Sequence, residues 1–315
     1  MHPLNRILAL VGLKLSRVSR TAPTGRRTMR GGITRRIGGC DLLIPTESNL
    51  GEMYGQFPDY MAELARIASV VYAKYPRMIA VDVGASLGDT AAIIRSGCAA
   101  PVICIEGDRS QADALAENAP KIGDVTILQL YLSDRRETRH VVIQKAGWNS
   151  TVIPASEAGS GPTVDFHTLD EVLRDRDVSL IKLLKVDVEG FDPRVLRGAA
   201  RLLREGRPVV LFEHNRENLA AIGEDNLSAF EQLRAAGYHA ALVWDAYGRL
   251  LVGTNLGEVS ILADLHGYVG CEEGFLSRAR YLDVCAFHEQ DEDIAGRCLA
   301  GERVVRDKRR ADLAN

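Results

Sequence analysis

Val81-Asp-Val-Gly-Ala-Ser-Leu-Gly-Asp-Thr90 decides how this chain is read. The apolar run Met78-Ile-Ala80 precedes it, and Ala91-Ala-Ile-Ile-Arg95 follows as a helix-compatible run. The order is therefore strand, glycine turn, helix. Gly84 has no Cβ, so a ligand can approach its backbone. Gly88 lets the next helix start close to the strand, and the first N–H groups of that helix lack intrahelical partners and can face a polar ligand. The next strand, Val102-Ile-Cys-Ile-Glu106, ends in an acid about twenty residues after the turn, the spacing at which a carboxylate meets a ribose in nucleotide-binding βαβ units. The glycines read G-x-x-x-G, not G-x-G-x-x-G. That favours S-adenosylmethionine (SAM), which has no pyrophosphate to accommodate, over a dinucleotide.

The 315 residues, 46% hydrophobic and 26% charged, are enough for one α/β domain with extensions. A net charge of -3 gives no global argument for nucleic acid. Residues 1–45 hold nine Lys/Arg against one acid, Asp41, so this arm carries +8 and leaves -11 on the rest. The six cysteines form no metal spacing, and Cys104 lies in an apolar strand, which together read as a reducing, cytoplasmic setting. No apolar run approaches the length of a membrane span.

Leu4, Ile7, Leu8, Val11, Leu15 and Val18 share a helical stripe within residues 3–18. With Arg6, Lys14 and Arg17 it could rest on an anionic membrane, giving a membrane-peripheral protein; the plainer reading is a helix against a second subunit, or a frayed arm. The segment lacks the cleavage signal of a secretory peptide. Residues 19–39 read as a linker, and residues 46–290 as the folded domain. Met61, Leu64, Ala68 and Val71 predict an amphipathic helix before the first strand.

A third strand, Val125–Leu130, leads to Ser133 and Asp134. Residues 135–168 then break the α/β alternation. Arg139–Gln144 and Thr151–Pro154 read as short strands around Trp148 and Asn149, a β insertion over the sheet's carboxyl face. Together with His167, Trp148 and Asn149 are candidate substrate contacts. Ser179–Asp187 is a nearly continuous apolar strand, as a buried parallel strand requires, so Lys185 within it must find a carboxylate or the crevice mouth. Pro208–Glu213 is the next strand. His239–Trp244 and Glu258–Leu262 read as a closing hairpin, and residues 291–315 as a polar tail that frays.

The run Leu184-Lys-Val-Asp-Val-Glu-Gly-Phe-Asp192, with Val195-Leu196 and Gly198-Ala199, resembles the FkbM family of SAM-dependent methyltransferases. So do Asp82–Ala85 with Gly88-Asp89, and Thr168-Leu-Asp170. The resemblance spans about residues 78–245, with Ser86 where Asn is more usual and Gly107 where Pro is more usual. It implies a class I methyltransferase fold, an α/β Rossmann-like sheet of seven strands, mostly parallel with the last antiparallel. It also implies methyl transfer to hydroxyl oxygens of sugars, glycolipids or related natural products.

On residue logic and this resemblance together, Asp82, Gly84 and Gly88 would frame the methionine end of SAM, although Asp82 could equally order the turn. Glu106 would take the ribose, and Ser133 or Asp134 would lie near adenine. Asp187 and Glu213 leave adjacent strands toward one crevice. With Asn215 they could hold Mg²⁺, similar to catechol O-methyltransferase. The metal-free reading uses Asp187 or His214 as the base that withdraws the acceptor's proton. Two other classes remain: a non-catalytic SAM- or nucleotide-binding module, against which the intact acids Asp187 and Glu213 argue, and an NAD-linked oxidoreductase, disfavoured by the glycine spacing.

Overall fold

The computed structural model describes residues 15–17, 31–57, 59–146, 148–154, 161–225, 227–269 and 280–313. The apolar runs become the strands β1 (Ile79–Val83), β2 (Val102–Glu106), β3 (Val125–Gln129), β4 (Ile181–Val186) and β5 (Val209–His214). They are joined by β6 (Tyr238–Asp245), β7 (Leu250–Asn255) and β8 (Leu282–His288). The sheet order is β3-β2-β1-β4-β5-β8-β6-β7. From β3 to β5 every pairing is parallel. β8 inserts between β5 and β6 and runs antiparallel to both. This is the expected mostly parallel sheet with its late antiparallel strand.

The strand count departs from seven. β7 adds an eighth strand, antiparallel to β6. At the far edge Leu15–Arg17 pairs antiparallel with β3, giving nine in all. The expected hairpin partner Glu258–Leu262 is instead the start of a helix, Val259–Tyr268. A short apolar run cannot be told from a helix by periodicity alone, and the true partner is diluted by Gly253 and Thr254.

Helices cover both faces. α1 (Ala62–Lys74), α2 (Asp89–Gly97) and α3 (Arg109–Ile122) flank β1 and β2, with the amphipathic stripe of α1 buried as its spacing demands. The segment expected to fray is a 22-residue helix, α4 (Glu292–Leu313). Its Ile294, Ala295, Cys298 and Glu302 are buried. Glu302 receives both Arg66 of α1, at 2.5 and 2.9 Å, and the indole N–H of Trp244, at 3.1 Å.

The arm also contains structure that its arginines concealed. Ile33–Ile37 and Cys40–Ile44 form a hairpin across Gly38 and Gly39, both at positive φ, where a linker was expected. Asn118 of α3 bonds the amide and the carbonyl of Leu43, fixing the hairpin to the domain. The stripe of residues 3–18 lies outside the described residues except for 15–17, which are strand rather than helix. Among the described residues no helix is long and apolar enough to cross a membrane.

The insertion forms as expected, in a separate four-stranded sheet. Glu137–Ala146 pairs antiparallel with both Asn149–Pro154 and Thr163–His167, and the latter runs parallel to Tyr131–Leu132. In the main sheet, strand order reverses between β1 and β4, so a crevice opens at their carboxyl ends.

Candidate active site

The crevice is lined on one side by the glycine turn and the end of β2, and on the other by the ends of β4, β5 and β8. At the turn, Gly84 has φ +76°, and a Cβ there would lie 1.8 Å from the carbonyl oxygen of Asp187. The ends of β1 and β4 therefore touch backbone to backbone. Ser86 also sits at positive φ, and its amide donates to Glu106 Oε2 at 2.9 Å. The Asp108 amide donates to the other oxygen, Oε1, at 2.8 Å. Each carboxylate oxygen keeps a lone pair for a further donor, as ribose hydroxyls require. Burial pushes Glu106 up to about 7, against the pull of these two amides. Gly107 stands where a Cβ would meet the Tyr131 ring at 2.3 Å, so a bulkier residue there would displace this aromatic wall.

Asp82 is fully buried beneath the turn, not on the cavity wall. Thr90 Oγ1 donates to its Oδ2 at 2.6 Å, and Lys185 Nζ lies 3.3 Å from its Oδ1. It orders the turn. Gly88 also stays off the wall; at φ +93° it opens α2, and a Cβ would strike Leu115 and Ile122 of α3. Its role is close helix packing. Ser133 donates to Asp134 at 3.3 Å, Asp134 pairs with Arg197 at 3.2 Å, and neither lines the crevice. Leu130, Tyr131 and Leu132 occupy the wall expected for them, beside Asp108 and Gln111.

Across the crevice stand Asp187, Glu189, Glu213 and Asp283. Asp187 is open, its side chain 40% exposed and 3.5 Å from Lys185 Nζ. Glu213 faces Asp283 in the β5–β8 register, and Asn215 Nδ2 donates to its Oε1 at 3.2 Å. Burial, then the like charges of Asp187 and Glu189, push Glu213 well above the ordinary carboxylate range. Asp283 is raised for the same first reason, with Glu63 and Asp187 adding to it. Tyr60 and Tyr281 complete this wall, their hydroxyls 3.2 Å apart. Lys185 finds the carboxylates its burial demanded and also donates to the Gly84 carbonyl at 2.9 Å.

Two expectations for the acceptor side, His214 as a base and a metal set, are not met. A strand alternates faces, so with Glu213 in the crevice His214 must point away. His214 packs on Phe230, and its Nε2 lies 2.9 Å from His266 Nδ1. Burial and the neighbouring imidazole lower it to about 3. The proposed metal set also does not assemble. Asn215 spends its carbonyl oxygen capping the next helix at the Asn218 amide and turns its NH₂ to Glu213. Among the described residues no group of three His, Cys, Asp or Glu side chains is placed to hold a metal ion.

His167 is buried beside Glu171, 3.7 Å away, and is no part of the wall. Tyr60, Tyr281 and Asp283 were not foreseen. Tyr60 lies far in the chain from the other two, and the one signal available was an acid, Asp283, inside an otherwise apolar run.

Residues 82–240 match the family model of the methyltransferase FkbM domain. No curated protein matches the chain. Among solved structures, the methyltransferase FkbM from Methylobacillus flagellatus is 17% identical over 52% of this chain and 39% of its own, with a TM-score of 0.36. This chain thus spans well under half of that protein. The precorrin-6y C5,15-methyltransferase from Geobacter metallireducens is 12% identical over 71% of this chain and 87% of its own, at 0.37. A protein from Burkholderia thailandensis bound to S-adenosyl-homocysteine is 15% identical over 91% and 90%, at 0.35. Likenesses this loose carry no weight beside the family match, which covers half of the sequence and every residue of the glycine turn. On that match, the chain belongs to the FkbM family of SAM-dependent methyltransferases.

Proposed function

We propose that this enzyme transfers the methyl group of SAM to a hydroxyl oxygen of a sugar, glycolipid or related natural product. One observation carries the reading: Glu106, Asp187 and the Gly84 backbone line one crevice, and the missing Gly84 side chain lets the Asp187 backbone close against the turn. Glu106 would hold the ribose hydroxyls, and the backbone at Gly84 the methionine end. Bound SAM supplies an activated methyl on a sulfonium. An alcohol is a weak nucleophile until its proton is withdrawn. Asp187, a carboxylate of the cluster that is 40% exposed and lies beside Lys185, is the group we assign to accept that proton. Glu213 and Asp283, pushed toward the protonated form by burial and by their like-charged neighbours, would donate hydrogen bonds to other hydroxyls of the acceptor. Tyr60 and Tyr281 would contribute an aromatic, hydroxyl-bearing wall.

The test is methyl transfer from radiolabelled SAM onto polysaccharide and lipid extracts, with calorimetric binding of S-adenosylhomocysteine (SAH) alongside. Wild type should label a hydroxyl-rich fraction. Asp187→Asn should lose more than about tenfold in labelling rate while binding SAH within about twofold of wild type. Full activity in Asp187→Asn removes it as the base. Absence of label from every hydroxylated fraction removes the acceptor class.

A further inference from the structure

The insertion carries the residue richest in unassigned contacts, Trp148, and those contacts point to the donor rather than to the acceptor. Its indole N–H donates to Ser86 Oγ at 2.9 Å. Its own carbonyl accepts from Gln111 Nε2 at 2.9 Å. Two residues on, Ser150 Oγ donates to Asp108 Oδ2 at 3.2 Å, and Lys145 Nζ lies 3.5 Å from the same oxygen. The strand pair of Glu137–Ala146 and Asn149–Pro154 is thus fastened at three places. One is on the glycine turn and two are at the start of α3. Ser86, Asp108 and Gln111 all line the crevice beside Glu106, and Ser150 and Val152 of the insertion line it with them.

Ser86 is the pivot. It holds φ +45°, a conformation an L-residue adopts only when its surroundings fix it. Its amide is committed to Glu106 and its hydroxyl to Trp148. Trp148 itself is not on the wall. We propose that the insertion belongs to the donor site and that Trp148 is a positioning residue for it, holding Ser86, and through Ser86 the Glu106 carboxylate, in the arrangement that accepts the ribose of SAM. This rests on the donor site assigned above. It moves Trp148 from the acceptor contacts to the support behind the wall that closes over the adenosine half.

The experiment is calorimetric titration of the full chain with SAH, for wild type, Trp148→Phe, Ser86→Ala and the double variant. Trp148→Phe keeps an aromatic six-membered ring and removes the donor N–H along with the pyrrole half of the indole. Each single variant should weaken SAH binding about three- to tenfold, the effect of one hydrogen bond. The double variant should be no weaker than the worse single, because both remove the same bond. The chain has two tryptophans, and Trp244 is fully buried and committed to Glu302. SAH should therefore shift the emission of Trp148, and that shift should vanish in Trp148→Phe.

Wild-type affinity in both single variants, losses that simply add, or an emission shift that persists in Trp148→Phe would each overturn the proposal. Failure of wild type to bind SAH at all overturns the donor site first, and this inference with it. Should Trp148→Phe not fold, Ser86→Ala tests the same bond from the turn.

Discussion

Lys185 Nζ donates to the carbonyl of Gly84 at 2.9 Å, so the ammonium of β4 holds the turn that follows β1. Burial opposes its charge, but Asp82 and Asp187 together keep it protonated. Removing the ammonium would leave Asp82 as an uncompensated charge in a fully buried site. Lys185→Met should therefore cost on the order of 3–5 kcal/mol of stability. Urea denaturation measures it, and a loss under about 1 kcal/mol would mean that water or a shifted proton already satisfies Asp82.

Glu106 should govern donor affinity in two ways. Glu106→Ala should weaken SAH binding more than about tenfold, since ribose hydroxyls would face no acceptor. In wild type the carboxyl titrates at about 7, and only the ionised form accepts from both hydroxyls. Affinity should rise between about pH 6 and pH 8 and then level. Titrations in matched buffers decide it; affinity independent of pH across that window would place the ribose elsewhere.

Stability should run the other way. Glu63, Glu106 and Asp192 are each raised to about 7, all mainly by burial. In the unfolded chain these groups have lost their protons by about pH 5. Between about pH 5 and pH 7 the folded protein therefore binds more protons, and stability falls as pH rises through that window. The ligand-free protein should melt higher at pH 5.5 than at pH 8. A melting temperature that is flat or climbing over that range would show these carboxyls to be better solvated than their burial implies.

Much of the fold could be read because a few positions are over-determined. A buried parallel strand must be continuously apolar, so Val102–Ile105 and Ile181–Val186 announce themselves. The turn between β1 and α2 needs glycine at Gly84, though what approaches its backbone is the Asp187 carbonyl and not only a ligand. The misreadings have equally local causes. His214 missed the crevice by one residue, and strand alternation applied to Glu213 would have excluded it. Ser133 and Asp134 were displaced because the chain spends Tyr131–Leu132 on a pairing with Thr163–His167, a long-range contact that no local pattern announces. Tyr60 and Tyr281 meet across 221 residues, beyond the reach of any spacing argument.

The helix α4 was hidden by its charge. Ile294, Cys298 and Glu302 follow a four-residue period, yet one member of the stripe is an acid. That acid is where the stability lies. Ending the chain before Glu292 would strand Arg66 and the Trp244 indole and uncover their apolar neighbours. The truncated protein should lose roughly 4 kcal/mol or more. A melting temperature within about 2 °C of the full chain would return this segment to the status of a dispensable tail.

β8 is made after both of its neighbours and then wedges between them. Until it arrives, β5 and β6 have no hydrogen-bonded partner on the sides they will share with it, and two apolar strand edges stand open. The same strand brings Asp283, with Tyr281 just before it, to the crevice. During synthesis the glycine turn and Glu106 can be in place while the opposite wall is still missing. A nascent chain at that stage has edges that invite pairing with another copy, so this is the stage at which a chaperone would have most to protect.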